Sequence, residues 1–268
     1  KIKLIRNWII SNNDESKIGW DPYPSSLRIV NWIKFFWSNQ INETEMQISL
    51  CQQVRYLDQN IEYNLLGNHL LENAKALIFS GCYFAGEEAN QWLEKGLSIL
   101  EKELEEQILN DGAHFELSPM YHSIVLELLI DLYSLSINQN SPPSLQLKKE
   151  ELRIYISRMA KWLSIMTHPD MEISFFNDSA IGIAQSPQTL FSKIKQLKIL
   201  IENKNAHPIV FLKESGYIRA KKDKATLFFD VGNIGPSYLP GHGHADALSI
   251  ELSINKDRIF TNLGTSEY

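Results

Sequence analysis

Two histidines, His242 and His244, stand two residues apart after a Pro-Gly turn and before an alternating apolar run. This pattern is typical of the beginning of a β-strand. Residues i and i+2 of a strand point to the same side, so both imidazoles are expected to face one site. Neutral imidazole is a common metal ligand and the usual proton-transfer group near pH 7. The pair therefore predicts a metal site or an acid–base site with partners elsewhere in the chain.

Tyr121 and His122 are candidate partners in a segment that predicts the beginning of a helix. Ser118 is a good N-cap, and Pro119 suits the first helical position. The positive end of the helix dipole then favours a phenolate at Tyr121. Such a tyrosine can act first as a general base and later as an acid. The alternative is that Tyr121 is a packing aromatic on the apolar face of the helix.

A second candidate partner is the pair Asn68 and His69, which precedes a long helical pattern. Asn is a common N-cap residue, so Asn68 has a structural interpretation as the cap of that helix. The functional interpretation is that its amide, together with His69, donates to an anion. The residues alone leave both interpretations open.

Aromatic residues and an arginine cluster near the first long helix, among them Trp20, Tyr23 and Arg28. Flat rings stack on the apolar faces of sugars, and a guanidinium binds a carboxylate or sulfate with two parallel hydrogen bonds. These residues are therefore candidate substrate contacts. Core packing is the alternative for the tryptophans, but Trp20 lies in a proline-containing loop and is expected to be exposed.

Three acidic residues have separate interpretations. Glu116 and Asp111 could form the acid–base pair of a glycoside hydrolase, although the sequence does not give their separation. Asp178 follows Asn177 in a segment typical of a turn, so it is interpreted as structural.

The elements that must position these residues change in character along the chain. Apolar residues recur at spacings of three and four through the first 200 residues, which predicts helices. One begins at Ser25 or Ser26, and the others span about 43–59, 69–83, 86–109, 119–137, 145–167 and 186–204. A short apolar run follows at 208–212, then candidate strands at 216–220, 225–231 and 258–261 and a clean alternation at 247–254. Together they predict strands of an antiparallel sheet.

The change of period places a domain boundary near residue 205, with domains 1–205 and 206–268. About five strands are too few for a two-layer β-sandwich. We therefore expect the chain to be a piece of a longer protein, or its sheet to be completed by something outside it.

Composition and charge narrow the function classes. The formal net charge of −6 disfavours nucleic acid as a partner, whereas a local basic cluster could still bind an acidic polysaccharide or oligosaccharide. No apolar run reaches the length of a membrane span. The oligomeric state is open, and a polysaccharide substrate would slightly favour a periplasmic or secreted bacterial protein over a cytoplasmic one.

Four segments together resemble the heparinase II/III-like family of polysaccharide lyases. They are Trp20-Asp-Pro-Tyr-Pro-Ser-Ser, Gly67-Asn-His-Leu-Leu-Glu-Asn, Asp111-Gly-Ala-His-Phe-Glu-Leu-Ser-Pro-Met-Tyr-His and Gly241-His-Gly-His-Ala-Asp. Each motif is weak alone, but their order and spacing are more specific. The resemblance covers the chain from about residue 8 to its end. It implies an incomplete (α/α) toroid of helical hairpins, followed by the start of an antiparallel β-sandwich.

The resemblance also implies an activity, which is β-elimination at a uronic acid of a glycosaminoglycan, alginate or related glycan. It assigns catalytic roles to Asn68, His69, Tyr121 and His242, with Asn68 neutralising the uronate carboxylate. Trp20, Tyr23, Arg28, Glu116 and His122 become substrate-binding candidates. No cofactor is required for this chemistry.

A structural zinc is a further implication of the resemblance, with His244 as one ligand. The family pattern has an aspartate on the following strand, but Asn262 stands at that position here. A neutral amide is a poorer zinc ligand than a carboxylate. The sequence therefore disfavours zinc, and it motivates the alternative of a non-catalytic glycan-binding or polysaccharide-assembly protein with the same fold.

Overall fold

The computed structural model describes residues 1–12, 18–201, 207–239 and 241–265. In these ranges the helices come first and the strands last. The helices are α1 (Ile2–Ser11), α2 (Pro22–Asn39), α3 (Thr44–Gln59), α4 (Gly67–Tyr83), α5 (Glu87–Gln107), α6 (Pro119–Ser136), α7 (Pro143–Leu147), α8 (Lys149–Met166) and α9 (Pro187–Gln196). The strands are β1 (Ile209–Leu212), β2 (Tyr217–Lys222), β3 (Ala225–Asp230), β4 (Ile250–Ile254) and β5 (Asp257–Phe260).

The beginnings of three helices test the predicted caps. Ser118 caps α6 as predicted, and its Oγ accepts from the backbone N–H of Tyr121 at 3.2 Å. The predicted cap of α2 at Ser25 or Ser26 is wrong, because this helix already begins at Pro22 with Asp21 as its N-cap residue. Proline suits the first turn, where no intrahelical N–H bond is lost.

Asn68 is the second residue of α4, so the interpretation of Asn68 as its N-cap is wrong. The cap position is taken by Leu66, whose φ is +59°. The predicted end of α9 near residue 204 is also wrong, because the helix ends at Gln196 and Lys198 adopts a positive φ of +57°.

The chain forms two compact units, Lys1–Glu103 and Leu104–Tyr268. In the first unit, apolar side chains of α2, α3 and α4 are buried, and α2 packs mainly against α4. In the second unit, α6 packs against α8. Residue 205, where the sequence places a domain boundary, lies outside the described residues.

The sheet is an antiparallel meander in the order β1-β2-β3-β4-β5. Alternate residues of β2, β3 and β4 are buried, as the period of two requires. Tyr217, Phe228 and Leu212 on this inner face form one core cluster with Trp162 and Met166 of α8. The second unit is therefore built on the packing of a helix against the sheet.

The outer face of the sheet carries large apolar side chains that stay accessible. Ile209, Phe211, Ile250 and Ile254 on this face are 42–66% exposed. Cross-strand register puts them on the same side as Ile218, Leu227 and Phe229. The described strands thus supply one layer of a sandwich. Among the described helices, none is both long and apolar enough to span a bilayer.

Candidate active site

The rings of Tyr121 and His242 are in direct contact in the second unit. Their centroids are 3.8 Å apart, with an angle of 32° between the ring planes. Tyr121 lies in the first turn of α6, and both side chains are partly accessible. A phenol and an imidazole from distant segments therefore meet at one accessible point of the surface.

Asp178 fixes the orientation of the His242 ring. Its Oδ2 atom lies 2.8 Å from Nδ1 of His242, and its backbone N–H donates to the His242 carbonyl at 3.1 Å. Its other carboxylate oxygen, Oδ1, accepts from the hydroxyl of Thr265. An ionised carboxylate accepts hydrogen bonds only, so Nδ1 of His242 carries the proton in this arrangement. The Nε2 atom is then left as the proton-accepting nitrogen.

The segment that contains Asp178 is tied to the beginning of α6. Ser118 donates from Oγ to the carbonyl of Asp178 at 2.6 Å, while the same Oγ caps the helix. Ser179 Oγ lies 3.0 Å from Ser118 Oγ and accepts from the backbone N–H of Met120 at 3.3 Å. Tyr121 and Asp178 are therefore positioned by one shared hydrogen-bond network.

The loop that carries His242 is held by Asn177. The side-chain Oδ1 of Asn177 accepts from the backbone N–H of His244 at 3.0 Å, and its Nδ2 donates to the Leu117 carbonyl at 3.1 Å. The backbone N–H of Asn177 donates to the buried carboxylate of Asp246. These bonds limit the movement of the loop, which preserves the contact between His242 and Tyr121.

Glu116 brings negative charge to the other side of the histidine. Its Oε2 atom lies 3.8 Å from Nε2 of His242 and 3.7 Å from Nδ1 of His114. Both distances are longer than hydrogen bonds, so the interaction is electrostatic. A carboxylate that is 97% buried at this distance stabilises positive charge on the His242 ring.

His114 and His122 are fully buried next to this site. Burial lowers the pKa of His122 to about 3, and burial also lowers the pKa of His114 well below its ordinary value. The Nδ1 atom of His122 accepts from the backbone N–H of His114 at 3.2 Å, and its Nε2 lies 3.0 Å from the carbonyl of Met159. His122 exposes no atom in this structure with which it could make its predicted contact with substrate.

A cavity of about 670 Å³ lies within the first unit, lined by Tyr23, Tyr56, Glu62 and His69 among others. The rings of Tyr23 and His69 stack at 4.3 Å, and Nδ1 of His69 lies 3.1 Å from Oε1 of Glu62. The structure thus brings together two predicted site residues, Tyr23 and His69. Asn68, which neighbours His69 in α4, is 98% buried.

The side chains of Arg28 and Trp20 make their contacts within the protein. Each of the three guanidinium nitrogens of Arg28 donates within the protein, to Gln53, to the carbonyl of Gly19 and to Ser25. Burial lowers the pKa of Arg28 to about 10. The expectation that Trp20 is exposed is wrong: it is only 5% exposed and packs against Trp8 and Tyr56. The sequence around Trp20 suggests a loop, but it does not show that Trp8 and Tyr56 pack against this side chain.

The residues at the implied zinc position do not fit a zinc ion. Asn262 donates from Nδ2 to Ser249 and from its backbone N–H to Glu251, so its side chain is used within the sheet. Across the described residues, no group of three or more His, Cys, Asp or Glu side chains is arranged to hold a metal ion. The described residues therefore offer His244 no set of further metal ligands.

Asp178 is the site residue that the sequence interpretation missed. The only sequence signal at this position is the Asn-Asp-Ser run, which is typical of turns and predicts a structural residue. Its functional partner, His242, lies 64 residues further along the chain. A tertiary contact of this kind leaves no local pattern.

The described residues thus form a helical region followed by a five-stranded antiparallel sheet, with Tyr121 and His242 in contact. The family model for the heparinase II/III N-terminus matches residues 2–204, and that for the heparinase II/III-like C-terminal region matches residues 204–268. This chain belongs to the heparinase II/III-like family.

Individual relatives agree with this assignment. The heparin-sulfate lyase of Pedobacter heparinus is 29% identical over 182 residues, which are 63% of this chain and 26% of the relative. FtsZ-localized protein C of Caulobacter vibrioides is 26% identical over 226 residues, 83% of this chain and 36% of that protein. The chain therefore spans only about a quarter to a third of these two relatives.

Solved structures confirm the predicted fold class. A crystal structure of heparinase III has a TM-score of 0.75 at 19% identity, covering 98% of this chain and 46% of that one. The heparan sulfate lyase of Pedobacter heparinus has a TM-score of 0.61 at 20% identity, with the same coverage. The chain thus has the helical toroid and the start of the β-sandwich seen in these proteins.

Proposed function

We propose that this chain is part of a lyase that cleaves a uronate-containing glycosaminoglycan by β-elimination. The observation that carries the proposal is the contact between Tyr121 and His242, with His242 oriented by Asp178. Relatives that bear the name heparin-sulfate lyase support the substrate class. The same β-elimination could also cleave alginate and other uronate glycans.

The reaction needs three functions at one sugar ring. The proton on C5 is weakly acidic beside an ionised carboxylate, so that carboxylate must be neutralised before the proton can leave. A base then removes the proton, an enolate-like intermediate forms, and an acid protonates the departing O4. The C4–O4 bond breaks as a C4–C5 double bond forms, and no water is consumed.

Tyr121 and His242 are assigned the proton transfers. With Nδ1 protonated toward Asp178, Nε2 of His242 can accept a proton or a hydrogen bond from the substrate. Tyr121 can take the C5 proton as a phenolate and return a proton to O4. Glu116 stabilises the positive charge that a protonated His242 would carry.

Asn68 and His69 are assigned the carboxylate-neutralising function from their Gly-Asn-His motif. An amide donor and a histidine can each hydrogen-bond a uronate carboxylate. His69 and the stacked ring of Tyr23 line a cavity, which favours a saccharide contact at these two residues.

The test is to incubate the full-length protein with heparan sulfate, alginate and glucuronan and to follow ultraviolet absorbance. Elimination creates an unsaturated uronate, which absorbs in the ultraviolet, and the products have the combined mass of the substrate. The absence of this chromophore with all three substrates would contradict the proposal. Products one water heavier would instead select hydrolysis by Glu116 and Asp111, although Asp111 is engaged by Ser215 and Ala113.

A non-catalytic glycan-binding or polysaccharide-assembly protein is the second candidate. FtsZ-localized protein C, whose name does not describe a lyase, matches a larger share of this chain than the Pedobacter enzyme does. Asn262 at the implied zinc position is a further departure from the lyase pattern. Binding of an acidic glycan by calorimetry, without any new double bond by mass spectrometry, would favour this candidate.

A further inference from the structure

Basic side chains concentrate on one side of the second unit, at α8 and the β1–β2 hairpin. Arg158 and Lys161 lie on α8, while Arg219 and Lys221 lie on the same face of β2. His207 precedes β1, and the backbone N–H of Lys221 donates to the carbonyl of the next residue, Pro208. Such a concentration of positive charge is unexpected in a chain with a net charge of −6.

Two adjoining cavities lie along these residues, and Arg158 and Lys161 line both. The first, of about 340 Å³, extends from Asp111 to Val210 and Leu212 of β1. The second, of about 360 Å³, extends along α8 to Arg153. We call these two cavities together the α8 groove. Its size suits one or two saccharide units rather than a single ion.

Arg219 of β2 is only 2% exposed. Its Nε and Nη2 atoms make no hydrogen bond to the described residues. Val210, its cross-strand partner in the β1–β2 register, lines the α8 groove, so Arg219 shares the face of the sheet that the groove adjoins. Burial of a cation without a hydrogen-bond acceptor is costly, and an anionic ligand nearby would offset that cost.

The orientation of Arg158 is fixed before any ligand arrives. Its Nη2 donates to the carbonyl of Leu109 at 2.7 Å, and its guanidinium carbon lies 5.6 Å from the ring centroid of Tyr155. Among the lining residues that the structure describes, Asp111 is the one carboxylate. Its oxygens already accept from Ser215 and Ala113, which reduces its ability to neutralise Arg158 and Lys161.

We propose that the α8 groove is a second glycan-binding site, in which Arg158 and Lys161 bind a sulfate or carboxylate group of an acidic saccharide. The buried charge of Arg219 adds to the positive potential of this site. The anionic character of the ligand follows from these charges, whereas its identity as a saccharide rests on the proposed function. None of the groove residues belongs to the Tyr121–His242 site, so the groove would hold a part of the polymer that is not being cleaved.

The experiment measures oligosaccharide binding without turnover. The full-length protein carrying Tyr121→Phe is titrated with size-defined heparan sulfate oligosaccharides by calorimetry at two salt concentrations. Lys161→Gln is expected to weaken one binding event roughly tenfold, since a hydrogen bond to a charged group is lost. It should also reduce the salt dependence of that event, because fewer charges are then screened. Lys161→Arg should restore both.

Two further variants serve as a negative control and as a second test of the groove. Lys195→Gln removes an exposed positive charge on α9 and should leave binding unchanged. Lys221→Gln, on the exposed end of β2, should produce a smaller loss in the same direction as Lys161→Gln. Equal thermal unfolding temperatures for all variants would show that the fold is intact.

The outcomes separate this proposal from the proposed lyase activity. Unchanged affinity in both Lys161→Gln and Lys221→Gln would overturn the groove as a binding site, even if the protein is an active lyase. A tenfold loss would support it, even if no unsaturated product forms. A chemically desulfated oligosaccharide that still responds to Lys161→Gln identifies the carboxylate as the bound group, and one that no longer responds identifies the sulfate.

Discussion

Asp178 and His242 contact each other twice, through side chain and through backbone. The carboxylate oxygen Oδ2 lies 2.8 Å from Nδ1 of the imidazole, and the backbone N–H of Asp178 donates to the His242 carbonyl at 3.1 Å. The first contact fixes the tautomer and the second fixes the loop. An imidazole held in this way keeps Nε2 as its proton-accepting nitrogen, 3.8 Å from the Glu116 carboxylate.

Asp178→Asn should reduce the rate of elimination by about 100-fold or more, with a smaller change in KM. The amide that replaces the carboxylate can donate to Nδ1, which favours the tautomer in which Nε2 carries the proton and cannot accept one. Steady-state kinetics on heparan sulfate measure the effect. Asp223→Asn is the matched control, because Asp223 is an exposed turn residue with a φ of +52° that asparagine tolerates. A fully active Asp178→Asn protein would refute the orienting role.

Tyr121→Phe should reduce elimination by about 100- to 10,000-fold, the usual contribution of a general acid or base. The phenyl ring preserves the packing against His242, so the thermal unfolding temperature should change little. Ultraviolet absorbance of the unsaturated product gives the rate, and circular dichroism gives the stability. Tyr63→Phe, which removes the hydroxyl of a 57% exposed tyrosine, should have normal activity. Comparable rates for the two variants would remove Tyr121 from the mechanism.

Stability should fall on acidification because of the buried histidines. Burial lowers the pKa of His122 from 6.5 to about 3, so below pH 6.5 the unfolded chain binds a proton that the native protein does not. At pH 5 this difference lowers the free energy of unfolding by about 2 kcal/mol relative to neutral pH. His114 contributes with the same sign.

The measurement is urea unfolding at pH 7 and pH 5 for the unsubstituted protein and for His122→Gln. The glutamine can offer one donor and one acceptor, and it should remove about 2 kcal/mol of the pH dependence while it lowers stability at both pH values. His207→Gln, at an exposed position, should leave the pH dependence unchanged. An equal pH dependence in all three proteins would contradict the assignment.

Gly112→Ala should destabilise the second unit. Gly112 has a φ of +94°, and a Cβ atom there would lie 2.3 Å from the carbonyl oxygen of Arg158. The matched control is Gly182→Ala, because Gly182 has a φ of +90° with no atom within 4 Å of such a Cβ. Chemical denaturation should therefore show a loss for Gly112→Ala that exceeds the loss for Gly182→Ala by roughly 2 kcal/mol or more. Equal losses would mean that the backbone of α8 moves away without cost.

The fold was largely predictable because its signals are local. Spacings of three and four placed α3, α4, α6 and α8 close to their observed ranges, and short apolar or alternating runs placed the five strands. The cap of α6 was predictable because Ser118 and Pro119 have strong positional preferences. The beginning of α2 was not, because prolines are compatible with both a loop and a first helical turn.

The candidate site was predictable only in part, because its geometry is set by tertiary contacts. The motifs indicated Tyr121 and His242, but nothing local distinguishes Asp178 from an ordinary turn residue. The burial of Trp20 depends on Trp8 and Tyr56, which lie on other helices. The full burial of His122 likewise depends on Met159 of α8 and on the backbone of His114.

The hydrogen bonds of Asp178 also have a consequence for biosynthesis. Its carboxylate joins residues 64 and 87 positions further along the chain, His242 and Thr265, while its carbonyl accepts from Ser118, 60 positions earlier. During synthesis on the ribosome, the segment around Tyr121 emerges long before the imidazole of His242. The proton-transfer pair can therefore form only after the segment around His242 has been synthesised.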